Sequence, residues 1–129
     1  MKILVVDDEL VSRKKMMKIV DGLGRCEAAE DGRAAISSVQ TALEKWELFD
    51  LITLDISMPD MSGTEVLSTI RDLETARGLT ADEKAKILMV TAHSDVESVK
   101  ACVGKCDAYI IKPFNKDVLT EKLKKLKVI

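Results

Sequence analysis

At 129 residues the chain has the size of a single compact domain, and a 47% hydrophobic content is enough to fill a core, which excludes wholesale disorder. Against 22 acidic side chains stand 20 basic ones, a net charge of -2, so the basic excess that phosphate-backbone binding needs is missing and nucleic acid is not an expected partner. No apolar run approaches the ~18 residues of a membrane span, and Met1 to Val6 lead straight into Asp7-Asp8-Glu9 without a cleavage pattern, which predicts a soluble, cytoplasmic protein of one domain over residues 1–129.

The first apolar run, Ile3 to Val6, has strand length and is followed by a helical stripe of Met16, Ile19, Val20 and Leu23. Arg25 to Ala29 is a weaker, edge-type strand, and Ile36, Val39, Leu43 and Trp46 mark the next helix. Leu51 to Leu54 precedes a stripe of Val66, Ile70 and Leu73; Ile87 to Val90 precedes Val96, Val99 and Val103; Ala108 to Ile111 precedes Leu119, Leu123 and Leu126. Ser62-Gly63-Thr64-Glu65 and Ser94-Asp95-Val96-Glu97 fit the capping box, Asn115 can cap the last helix, and Gly22, Gly24, Gly78 and Gly104 fall near helix ends. Glu74 to Lys86 reads as the longest and most polar connection, with a short turn capped by Thr80. The lysine-rich end, from Lys116 to Lys127, reads as a solvated helix with cations at the negative end of its dipole.

Strand and helix alternate throughout, and the strands are apolar at successive positions, not at every second one. Both features call for a parallel sheet covered by helices on both faces. Cys26, Cys102 and Cys106 are an odd number in a chain that needs no staples, and the lone His93 is not at ligand spacing, so reduced, core-packed thiols are expected.

The chemistry lies where the strands end. The runs stop at Asp7-Asp8, Asp55, Thr91 and Lys112, and parallel strands end along one edge, so these side chains converge on a single crevice. Carboxylates crowded there repel by about 4 kcal/mol per pair at 4 Å and an effective dielectric near 20, which calls for a cation and raises at least one carboxyl pKa. Hard oxygen ligands in a small site suit Mg2+. A carboxylate flanked by Mg2+ and an ammonium can attack phosphorus. No phosphate-binding glycine loop or nucleophile elbow competes with this reading.

Five segments in order, Val5-Val6-Asp7-Asp8-Glu9, Ala29-Glu30-Asp31-Gly32-Arg33-Ala34-Ala35, Asp55-Ile56-Ser57-Met58-Pro59-Asp60-Met61-Ser62-Gly63, Val90-Thr91-Ala92 and Tyr109-Ile110-Ile111-Lys112-Pro113-Phe114, make the whole chain resemble the receiver domain of two-component response regulators. The resemblance implies a flavodoxin-like fold, a five-stranded parallel sheet in the order 2-1-3-4-5 with five helices. It implies Asp55 as phosphoacceptor, with Asp8, Asp55 and the Ser57 carbonyl on Mg2+ and Asp7 acting through water. Thr91 and Lys112 would contact the phosphoryl group, Lys112-Pro113 would be cis, and Tyr109 would be the switch aromatic. The donor would be a sensor histidine kinase or histidine phosphotransfer protein, and the output a protein bound on the fourth helix, fifth strand and fifth helix. Ser57 and His93 occupy positions that vary in the family and tune phosphoryl lifetime, and Gly104 stands one residue before the usual glycine. Two other classes are weighed: a phosphorylation-independent adaptor, normally marked by loss of an acidic, Thr or Lys position, and a haloacid-dehalogenase-type phosphatase, which wants an Asp where Ser57 stands.

Overall fold

A computed structural model describes residues 1–102 and 104–129. In chain order it contains β1 (Lys2–Val6), α1 (Leu10–Val20), β2 (Arg25–Ala29), α2 (Gly32–Lys45), β3 (Leu51–Asp55), α3 (Gly63–Ala76), β4 (Lys86–Ala92), α4 (Val96–Lys100), β5 (Ala108–Lys112) and α5 (Lys116–Lys125). The strands pair in parallel in the order β2-β1-β3-β4-β5, the flavodoxin-like arrangement expected.

Successive strand residues face opposite sides of the sheet, and here both sides are packed. Leu4, Val6, Ile52, Leu54, Ile87 and Met89 join α2 and α3 residues such as Val39, Leu43, Val66 and Ile70 in one cluster. Ile3, Val5, Leu51, Leu88, Val90 and Ile110 meet Met16 and Val20 of α1 and Leu119 and Leu123 of α5 in the other. Two cores on one sheet explain why β1, β3 and β4 have no polar stripe.

Local chemistry sets the helix starts. Ser62 accepts from the Glu65 amide and Asn115 from the Val118 amide, as their sequence positions predict. The Ser94 capping box does not form. His93–Asp95 is a 3-10 turn, α4 starts at Val96, and the Val96 amide donates to the His93 carbonyl, so Asp95 and not Ser94 takes the N-cap position and no side chain caps the helix. Trp46 is also not in the α2 stripe. The helix ends at Lys45 and Trp46 takes a left-handed conformation with φ 56°, which turns its side chain off the apolar face and leaves it 54% exposed. Val103, assigned by spacing to the fourth stripe, lies outside the described residues. Gly104 takes φ +94° in the turn before β5, a conformation that favours glycine. The three thiols are free, with Cys102 buried and the others half-buried.

The connection from α3 to β4 departs from its polar reading at one residue. Glu74 still belongs to α3 and is 3% exposed. Its carboxylate accepts from Arg71 Nη1 at 2.7 Å and from the Ala85 amide at 2.8 Å. Thr80 contributes its backbone, its amide donating to Glu83 at 2.8 Å.

Candidate functional site

The carboxyl ends of the strands carry the site. Asp55 is the last residue of β3 and Lys112 the last of β5, while Asp7 follows β1 directly. Strand parity places these three together: Asp7 continues the Ile3, Val5 series, Asp55 the Leu51 series and Lys112 the Ile110 series, all on the α1/α5 side of the sheet. Thr91 continues the Ile87, Met89 series on the α2/α3 side. Its buried hydroxyl donates to the Ala92 carbonyl at 2.9 Å, a bond it must give up before it can donate to anything bound at Asp55.

Asp7, Asp8 and Asp55 each offer a carboxylate oxygen within 4.8 Å of the others. Asp7 and Asp55 are 5% exposed and Asp8 is open to solvent. The single cation among them is Lys112, whose Nζ lies 3.2 Å from Asp7 Oδ2 and 3.6 Å from Asp55 Oδ2. One ammonium against three carboxylates leaves an excess of negative charge. Burial pushes the Asp55 carboxyl up to about 6; Lys112 opposes the rise, while Asp7 and Asp8 add to it. Crowding therefore raises a carboxyl pKa as expected, but loss of water is the larger cause. Burial works against the Lys112 ammonium too, yet Asp55 and Asp7 overcome it and hold the amine above its ordinary value.

The loop after β3 is fixed from two sides. Gly63 packs where a Cβ would strike the Asp55 carbonyl, so a side chain there would push α3 off the end of β3. Asp60 reaches across to α2 and accepts from the Gly32 and Arg33 amides at 3.1 and 3.0 Å. The Gly32 bond foremost holds its carboxyl below the usual range. Asp31 caps the same helix through the Ala34 amide at 2.8 Å. Neither cap was singled out in the sequence; the signal for Asp31 was an Asp three residues before a helical amide, whereas Asp60 is 28 positions away and carries no local signal.

Of the other expected residues, Ser57 is exposed and its amide makes a long 3.4 Å bond to Asp55 Oδ1. Lys112-Pro113 is cis. Tyr109 is half-buried against the α2/α3 cluster, pairs with Met89 on β4, and has Lys122 Nζ 5.6 Å from its ring centre. Tyr109 thus shares a sheet face with Thr91, not with Asp55. His93 is exposed on the turn after β4.

Fold and site together define an α/β module with an acidic crevice, bridged by one lysine, at the carboxyl edge of a parallel sheet. The response regulator receiver domain family matches residues 3–124, and the chain belongs to that family, the phosphoacceptor modules of two-component signalling. Its relatives include the chemotaxis protein CheY of Pseudomonas aeruginosa, 33% identical over 98% of this chain and 95% of the relative. CheY-3 of Vibrio cholerae is 35% identical over 98% of this chain and 91% of the relative. Among solved structures, the response regulator TrrA of Thermotoga maritima, in complex with Mg2+ and beryllofluoride, superimposes with a TM-score of 0.77 at 36% identity, covering 97% of each chain. The receiver domain of a histidine kinase from Arabidopsis thaliana superimposes with a TM-score of 0.81 at 26% identity, over 99% of this chain and 90% of that one. No helix among the described residues is long and apolar enough to cross a membrane.

Proposed function

We propose that Asp55 is the residue phosphorylated, by a phosphohistidine on a sensor kinase or phosphotransfer protein, and that the crevice catalyses only this transfer and the later hydrolysis of the aspartyl phosphate, which returns Asp55 and releases inorganic phosphate. The carrying observation is the cluster of Asp7, Asp8 and Asp55 around the one ammonium of Lys112. An Asp55 oxygen forms the new bond to phosphorus as the donor's P–N bond breaks, and the leaving imidazole takes up a proton. Asp55 needs no general base, because with its carboxyl at about 6 it is mostly ionised at neutral pH. Lys112 shifts from the carboxylates to the phosphoryl oxygens.

The all-oxygen donor set fits Mg2+: Asp8, Asp55 and the Ser57 carbonyl would hold it, with Asp7 reaching it through water. When bound, it offsets the excess negative charge and neutralises phosphoryl oxygens. Asp7 suits an indirect role because its carboxylate oxygens are held more closely, by the Glu9 amide at 2.9 Å and Lys112 at 3.2 Å, than those of Asp55, whose contacts to the Ser57 amide and Lys112 are 3.4 and 3.6 Å.

Phosphorylation adds about -1.5 to -2 charge. Thr91 leaves the Ala92 carbonyl to donate to the new phosphoryl oxygens, and the space it vacates lies on the face occupied by Tyr109. That rearrangement alters the surface of α4, β5 and α5, where we place the downstream partner, in a cytoplasmic setting. All the acidic, Thr and Lys positions are kept, which argues against a phosphorylation-independent adaptor.

The test is labelling with acetyl phosphate and Mg2+, read by intact mass and peptide mapping. One phosphoryl group is expected, on Asp55, and none in Asp55→Asn or in chelator. Unchanged labelling of Asp55→Asn would falsify the assignment.

A further inference from the structure

Asp7 is held at four points. Its amide donates to the Ala29 carbonyl at 3.1 Å, Oδ1 accepts from the Glu9 amide at 2.9 Å, and Oδ2 accepts from Lys112 at 3.2 Å. The fourth tie comes from α1: Arg13 Nη1 donates to the Asp7 carbonyl at 2.8 Å. Asp8 is different, since its carboxylate is exposed and has no hydrogen bond or ion pair among the described residues. Its aim must come from the backbone. The Asp7 carbonyl and the Asp8 amide belong to one planar peptide unit, so a donor that fixes that carbonyl also fixes where the Asp8 Cα and side chain start.

We propose that Arg13 is a positioning residue for the metal-binding carboxylate of Asp8, acting through the Asp7–Asp8 peptide plane. The inference rests on the reading of Asp8 as a Mg2+ ligand. Arg13 is half-buried one turn into α1, where its own amide donates to the Glu9 carbonyl at 2.9 Å. The planar guanidinium delivers its donor at a fixed distance and direction, which a lysine ammonium on a flexible stem does not reproduce. Partners that orient metal ligands from behind are typically worth about 10–100-fold in metal affinity.

The experiment titrates Mg2+ alone, by calorimetry, into wild type, Arg13→Met, Arg13→Lys and Asp8→Ala, and records the amide 15N shift of Asp8 in metal-free protein. Arg13→Met is expected to bind Mg2+ roughly tenfold more weakly, with the Asp8 amide displaced, and to regain the wild-type labelling rate at saturating Mg2+. Arg13→Lys, which keeps the charge and most of the stem, is expected to stay impaired, and it carries the test should Arg13→Met fail to fold. Wild-type Mg2+ affinity in Arg13→Met, or full recovery in Arg13→Lys, would overturn the positioning role. If Asp8→Ala also bound Mg2+ normally, the ligand assignment itself would fall; if Asp8→Ala lost binding while both Arg13 variants kept it, only the positioning role would.

Discussion

The two edges of the sheet each carry a cluster of buried charge, and they are built on opposite rules. At the amino edge, Arg71 donates from Nε to the Lys105 carbonyl, from Nη1 to Glu74 and the Ala85 carbonyl, and from Nη2 to Asp107. Asp107 and Glu74 in turn accept the Ile87 and Ala85 amides. That cluster ties α3 to the segments entering β4 and β5. At the carboxyl edge, Asp7 and Asp55 share one ammonium, and Asp8 beside them has no partner among the described residues. A charge cluster with its hydrogen bonds completed holds the fold together, while one with surplus negative charge leaves a demand for a cation.

The largest effect expected from this contrast is on stability at the amino edge. Arg71→Met strands the Glu74 carboxylate in the core without its cation, and removing one partner of a buried pair costs about 3–5 kcal/mol; urea denaturation should show it. The comparison breaks if Arg71→Met unfolds at the wild-type midpoint. Activity gives the mirror image. Lys112→Met should cut the labelling rate with acetyl phosphate by tenfold or more, by the ~1.4 kcal/mol-per-decade relation applied to a lost ion pair with the transferring group, a loss of activity that Arg71→Met, far from the crevice, should not share.

A smaller effect is visible in pH. The Asp55 carboxyl is raised in the folded protein from its ordinary 3.8 to about 6, so the folded state binds the proton more tightly than the unfolded chain. Above pH 6 the ionised group destabilises the fold. That penalty fades as pH falls through 6 toward 4. Asp55→Asn has no such group and should therefore be the more stable protein at pH 7 to 8, with the gap to wild type closing on acidification. The smallest effect concerns Thr91→Ala, which loses one hydrogen bond worth about 1 kcal/mol. It should still take up phosphate, but beryllofluoride should then perturb amide signals of α4 and around Tyr109 less than in wild type.

Much of the carboxyl edge was legible because its logic is that of strand ends. An apolar run that stops at Asp55 or Lys112 states both where the strand finishes and what it presents, and parallel pairing does the rest. The amino edge was nearly invisible, since Glu74 and Arg71 look like any exposed helical pair until Asp107, 36 residues from Arg71, folds against them. Trp46 misled for a different reason: periodicity counts residues, and it cannot tell that α2 stops one residue short. Ser94 failed because the chain passes through a 3-10 turn over His93–Asp95, which puts Asp95 and not Ser94 at the N-cap position of α4. Arg13 went unnoticed because its partner is a backbone carbonyl, which no side-chain pattern encodes.

The central claim, that surplus negative charge at the carboxyl edge is what the cation answers, is tested most directly by thermal denaturation of wild type and Asp8→Ala with and without Mg2+. Wild type should gain thermal stability on addition of Mg2+, whereas Asp8→Ala, relieved of one crowded carboxylate and deprived of one ligand, should match or exceed wild type without metal and respond little to it. An Asp8→Ala protein that is less stable than wild type without metal, yet gains as much from Mg2+, would contradict the account.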